Sequence, residues 1–286
     1  MYATSYITFA ATLLYETTFI KKIRATSRSF HIYLIGFTPK IEPEMPKIEN
    51  GSLFMDVSYM GKKVDLRFGV PAGFKVIQAE EDWHIEDKDG QHWCIDPFKI
   101  INEIGRAVEG VPFLVKYIGQ AYGEDGSRDA IDRLLKHETL QKIAVKGVPD
   151  GYVLQVILLE LQTDNQVITA FLPNAKHRDD DGARRKMGLD KLFGTSELER
   201  VSLYEASLIR YFSPELNKEF KNSFPSTNLK ILQGCYSKDI LAVTAEICLD
   251  EFPFQLYSDT VSKSHNHIII HDLQNDGERN IFFGKD

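Results

Sequence analysis

The run YVLQVILLEL, residues 152 to 161, is the most hydrophobic stretch of the chain and limits its fold more than any other. Its length and branched side chains favour an extended backbone over a helix, and so uniform an apolar run belongs inside a sheet. The 286 residues, 43% apolar and 11% aromatic, supply enough material for a core around such a strand.

On either side the pattern alternates between strand and helix signals. FHIYLIGF and SLFMDVSYMGKKVDLRFGV cluster β-formers around a turn at Gly61 and Lys62, and VPAGF at residues 70 to 74 interrupts them. Hairpins are expected over residues 1 to 85, with a helix before them compatible with the apolar opening. HIEDKDGQHWCI carries an Asp89-Gly90 hairpin turn, Asp96-Pro97 starts a helix through FKIINEIGRAVEG, and PFLVKYIGQ follows as a buried strand. Ser127 then caps a helix of about sixteen residues. LPNAKHRDDDGARRKMG, residues 172 to 188, reads as a mobile surface loop. Ser196 and Glu199 form a capping box for a helix that Pro214 stops. Strands return after residue 225, with a turn at Asn275, Asp276 and Gly277. The expected class is α+β: a small mixed sheet flanked by helices over residues 86 to 222, with β-rich extensions at 1 to 85 and 223 to 286.

The net charge of −7 argues against a general nucleic-acid coat protein but leaves room for a local site, because metal-assisted nucleases carry acidic ligands. Cys94, Cys235 and Cys248 are odd in number and lack paired spacing, which suits a reducing cytoplasm. The opening residues lack a basic start, and Glu16 interrupts their apolar run, so neither signal peptide nor membrane anchor is expected.

Within the helix that Ser196 opens, Val201, Leu208, Ile209 and Phe212 share a face with Leu198, and Glu205 lies in the middle of it. An unpaired charge there costs several kcal/mol, so the carboxylate needs a partner or a task. Arg133 and His137 stand four residues apart on the earlier helix, beside Ala130, Leu140 and Ala144, and a tyrosine precedes them on a strand. A carboxylate that holds a divalent metal, an arginine that neutralises phosphate, and a tyrosine or histidine that accepts a proton form a set suited to phosphodiester hydrolysis. Taken singly, Glu205 reads first as a core-edge ion pair, and Arg133 with His137 as a solvated face beside Asp132 and Lys136.

In combination, YIGQ (117 to 120), RLLKH (133 to 137) and LYEASLIRYFSPELN (203 to 217) resemble the GIY-YIG nuclease superfamily over about residues 110 to 220. The resemblance implies a GIY-YIG-like core in which Tyr117 and Gly119 belong to the YIG strand and Arg133 binds phosphate. His137 stands one turn later, Glu205 is the metal ligand, and Asn217 orders the core. It further implies Mg2+ or Mn2+ as cofactor and nucleic acid as partner, DNA favoured over RNA, with a homodimer compatible. A stand-alone chain of this size resembles restriction and other defence enzymes more than a repair subunit. Two departures stand out. Fifteen residues separate Tyr117 from Arg133, and the GIY strand is not apparent, because GVPFLVK just upstream of YIG has Phe113 and no tyrosine. A first strand near QHWCI would replace the usual tyrosine, leaving Tyr117, His137 or Tyr122 as the general base. The alternative class is a catalytically degenerate nucleic-acid-binding or interaction module.

A rival site is the row His265, His267 and His271, which a strand would place on one face, either as a metal site or, more commonly, as an exposed polar face. The letters HNH at 265 to 267 lack the strand and helix pattern of a ββα-metal nuclease. RDDDGARRK is a solvated run in which Arg184, Arg185 and Lys186 could touch a nucleic-acid backbone.

Overall fold

A computed structural model describes residues 6–12, 30–79, 82–120, 147–162, 182–183, 186, 190, 194–222, 242–250 and 252–272. Among them, five strands form the central sheet: β1 (Tyr6–Thr12), β2 (Phe30–Pro39), β10 (Val111–Gln120), β11 (Tyr152–Gln162) and β13 (Phe254–Tyr257), in the order β1-β11-β2-β10-β13. All pairings are antiparallel except β10 with β13. The apolar run at 152 to 161 is thus an interior strand, and β2 is the middle one.

Between β2 and β10 the chain builds two smaller sheets and a helix. The first sheet joins β3 (Ile41–Pro43), β4 (Lys47–Glu49), β5 (Ser52–Tyr59) and β6 (Lys62–Gly69). Tyr59 pairs with Lys62 across a two-residue turn whose Met60 and Gly61 have φ of 48° and 73°, the positive values a tight hairpin demands. The second sheet joins β7 (Lys75–Ala79), β8 (Asp82–Glu86) and β9 (His92–Trp93) around the Asp89-Gly90 turn. Helix α1 (Pro97–Ala107) follows, its Asp96 side chain accepting from the Phe98 amide and Pro97 occupying the first turn.

Helix α2 (Glu197–Phe212) opens on the reciprocal Ser196–Glu199 capping box and ends with Ser213 in the left-handed region, φ 45°, just before Pro214. Strands β12 (Ala242–Cys248) and β14 (Asn266–Asp272) pair antiparallel as a fourth sheet.

The two faces of the central sheet carry separate cores. Ile32, Leu34, Phe113, Ile118, Ile157 and Leu159 face Val201, Leu208, Ile209 and Phe212 of α2 and continue into the residues of β5 and β6. Tyr33, Ile35, Phe37, Leu154, Val156 and Leu158 form the other, against which Tyr117 and Leu216 pack.

The expected fold class is corrected. In place of a small mixed sheet flanked by helices, the described residues hold fourteen strands in four sheets, and two helices described along their length. The central sheet draws strands from all three of the expected segments, because pairing partners are set by register across the whole chain and not by local pattern. Residues 6 to 12, where a helix was allowed, are a strand paired with β11. Within the expected loop at 172 to 188, Ala183 and Lys186 are helical. The Ser127 helix and the Asn275 turn lie outside the described residues.

Candidate functional site

Strand β10 surrenders its outer edge to β13 only from Val111 to Leu114. From Lys116 onward that edge would be bare, and each unpaired backbone group shielded from water costs about 1–3 kcal/mol. The chain after α2 fills the gap. Leu216 donates its amide to the Lys116 carbonyl at 3.0 Å. Asn217 accepts from the Ile118 amide at 2.9 Å through Oδ1 and donates from Nδ2 to the Ile118 carbonyl at 2.8 Å. Glu205 accepts the Gln120 amide at 3.0 Å, and Ser202 Oγ donates to Gln120 Oε1 at 3.4 Å. The turn also carries Lys116–Glu215, an ion pair of 2.6 Å. Phe212 belongs to the core on one face and Leu216 to the other, so the turn wraps the strand edge.

Glu205 is therefore half-buried and bound to the YIG strand itself, which answers why a carboxylate stands on the apolar face of α2. One of its oxygens accepts a backbone amide, which gives the charge a polar partner at the edge of the core. Leu198, expected on the buried face, is 37% exposed.

On the sheet face opposite α2, Tyr33 of β2 sits in register with Gly119 of β10. A Cβ at Gly119 would stand 2.6 Å from both Cζ and Oη of Tyr33 and 2.9 Å from Cε1 of Tyr117. The glycine exists because the neighbouring tyrosine lies across it. The Tyr33 and Tyr117 rings are 6.1 Å apart, centroid to centroid, tilted by 31°. Tyr33 is 1% exposed and Tyr117 half-buried. Tyr33 is the residue that sequence reasoning missed: its motif, His31-Ile32-Tyr33, lies in the FHIYLIGF run, but residues 40 to 110 separate it from YIG. Of the anticipated site residues, Glu205 and Asn217 meet the backbone of β10 at Gln120 and Ile118, while Tyr117 and Gly119 of the same strand face away from α2; Arg133, His137 and Tyr122 lie outside the described residues.

In the C-terminal histidine row, His267 and His271 turn to protein partners instead of forming an exposed face. His267 is 3% exposed; its Nε2 lies 3.2 Å from the carbonyls of Leu256 and Ser264, and its Nδ1 is 3.1 Å from the Tyr211 hydroxyl. Carbonyls only accept, so Nε2 carries the proton and Nδ1 takes the hydroxyl's hydrogen. Burial pushes its pKa below the ordinary value, keeping it neutral, and Tyr211 is pushed up by the same cause. His271, lowered likewise by burial, places Nε2 3.1 Å from the Ser207 carbonyl. These rings fasten β14 to α2.

No described helix is long and apolar enough to cross a membrane. Compared with known proteins, the chain matches no family model, no curated protein and no solved structure.

Proposed function

We propose that this chain hydrolyses phosphodiester bonds of nucleic acid with Mg2+ or Mn2+, as a divergent nuclease of GIY-YIG type. The supporting observation is the strand beside YIG. The resemblance calls for a tyrosine on the hairpin partner of that strand, and Tyr33 lies there, its hydroxyl over Gly119 and its ring beside Tyr117. The family's first two strands would then be β2 and β10, with a β-rich insertion between them.

In this reading Glu205 would hold the metal, which would supply Lewis-acid stabilisation of the phosphoryl group. Tyr117, the tyrosine nearer solvent, or His137 accepts the proton of the attacking water. Tyr33, almost wholly buried, positions it. Arg133 neutralises the phosphate, with His137 one turn beyond it. Asn217 keeps YIG in place by satisfying both backbone groups of Ile118. DNA is the favoured substrate, in a cytoplasmic setting such as restriction or defence.

The test is cleavage of plasmid DNA, single-stranded DNA and RNA with either metal, beside Glu205→Gln and Tyr117→Phe. Glutamine keeps an acceptor for the Gln120 amide but loses the charge a metal needs. Both variants should retain the fold and lose about 10²-fold or more in rate. Cleavage that survives Glu205→Gln refutes the assignment, and binding without cleavage by the unaltered chain makes it a degenerate module.

A further inference from the structure

We propose that the second inserted sheet carries a transition-metal site of the zinc type, formed by His84, Glu86 and His92 and independent of Glu205. His84 and Glu86 alternate along β8, so both project from one face, and Glu86 pairs directly with His92 of β9. Their ligand atoms all lie within 4.8 Å of one another, the one such group of three or more histidine, cysteine or acidic residues among the described residues. Donors around a tetrahedral ion at 2.0–2.1 Å are separated by about 3.4 Å, so closure requires movements of about an ångström.

One further feature points to a ligand. Nε2 of His84 is shielded from solvent and has no hydrogen-bond partner among the described residues; the nearest acidic oxygen, Glu86 Oε2, is 4.0 Å away. A shielded polar atom without a partner is costly, and a metal ion would satisfy it. The His84 and His92 rings are stacked 4.0 Å apart with their planes inclined by 29°. A metal lying in both ring planes requires this stack to open, by rotation about the broad Cβ–Cγ torsions.

The donors decide the ion. Two imidazole nitrogens and one carboxylate oxygen suit zinc or its neighbours and not Mg2+, which takes oxygen ligands. Three protein ligands leave a fourth position for water or for a donor from a partner. Glu86 Oε1 also pairs with Lys75 Nζ at 2.9 Å, placing a cation beside the site. That ammonium weakens metal binding, and its 59% exposure limits the effect by solvent screening.

The site has a structural consequence. β9 is two residues long and joins β8 through two pairs only, Ile85 with Trp93 and Glu86 with His92. A metal bridging β8 to β9 would cross-link this short hairpin beside Trp93, which packs on Phe74 at 5.7 Å.

The experiment is titration of the chelator-treated full chain with Zn2+, read by calorimetry and Trp fluorescence, with Co2+ as the visible-absorption probe. One equivalent should bind at this site, with tetrahedral Co2+ bands. His92→Gln, an exposed substitution expected to fold, should weaken this binding at least tenfold. Glu86→Gln should do the same, Lys75→Ala should tighten it, and Glu205→Gln should leave it unchanged. The proposal is overturned if no Zn2+ binds or if binding survives His92→Gln and Glu86→Gln undiminished. Loss on Glu205→Gln instead would assign the ion to the proposed nuclease site.

Discussion

Replacing Asn217 by alanine tests the construction of the site most directly. The side chain is 8% exposed and satisfies two backbone groups of one residue, the amide and the carbonyl of Ile118, at 2.9 and 2.8 Å. Alanine reaches neither. Each buried group left without a partner costs about 1–3 kcal/mol, so the loss of both should cost about 2–6 kcal/mol. For a chain of this length that corresponds to a melting temperature lower by about 3–10 °C. The damage should also be local. The Ile118 amide should exchange with solvent faster by a factor matching the stability loss, while the amides of β11 change only as the whole molecule loosens.

Asn217→Asp separates hydrogen bonding from packing, since shape is nearly conserved. Aspartate still accepts from the Ile118 amide, but its second oxygen faces the Ile118 carbonyl, acceptor against acceptor. At pH 8 it should cost at least as much as alanine, and the deficit should shrink in acid as the carboxyl gains a proton and donates again. The assays are denaturant unfolding and amide exchange. An alanine variant within about 0.5 kcal/mol of the parent, with Ile118 still protected, would show that the edge of β10 does not depend on this side chain.

Three further substitutions probe other parts of the molecule. Gly119→Ala should cost about 1–3 kcal/mol by overpacking against Tyr33 and be partly rescued by Tyr33→Leu; a neutral effect in denaturant titration refutes the close approach. Tyr59→Phe should be neutral or stabilise by about 1 kcal/mol, since the Tyr59 hydroxyl is buried without a partner among the described residues and burial is the main cause of its raised pKa; a loss above 1 kcal/mol by thermal melting refutes this. His267 and His271 have folded pKa values below the ordinary 6.5, so the unfolded chain binds more protons in acid. Stability should be fully present above pH 6.5 and fall as pH drops below it, by up to about 1.4 kcal/mol per pH unit for each ring. His267→Gln should flatten that slope by one proton, and an unchanged slope would show that His267 does not titrate with unfolding.

What the sequence disclosed was local. The capping box at Ser196 and Glu199, the stop at Pro214, the Asp96-Pro97 start and the Asp89-Gly90 turn each concern residues a few positions apart, and each is found where expected. Tyr33 was hidden because its significance lies in register with Gly119, a relation made by strand pairing across the long insertion. The histidine row misled for another reason. Alternation correctly predicts that His267 shares no face with Ile268, but not which face is inward. Here Ile268 and Ile270 are 66% and 64% exposed while His267 is buried, the reverse of their hydrophobicity. Tyr211 and three backbone carbonyls make that inversion tolerable, and none adjoins the row in sequence except Ser264.

The early end of β13 makes the site available. If its parallel pairing ran past Leu114, it would consume the groups of Lys116, Ile118 and Gln120 that now bind Leu216, Asn217 and Glu205. The chain leaves the sheet after Tyr257 through a turn in which the Ser258 amide donates to the Val261 carbonyl. Thr260 Oγ1, in that turn, lies 3.5 Å from the Phe212 carbonyl at the end of α2. One turn thus ends the sheet and braces the helix that carries Glu205. Truncation after Asp250 should consequently do more than remove a surface segment. It would bare Val111–Leu114, a buried edge rich in β-formers and prone to pair with another chain, and free the C-terminus of α2. The shortened chain should aggregate on purification, and a soluble monomer with unchanged exchange at Ile118 would show that the C-terminal segment has no part in holding the site.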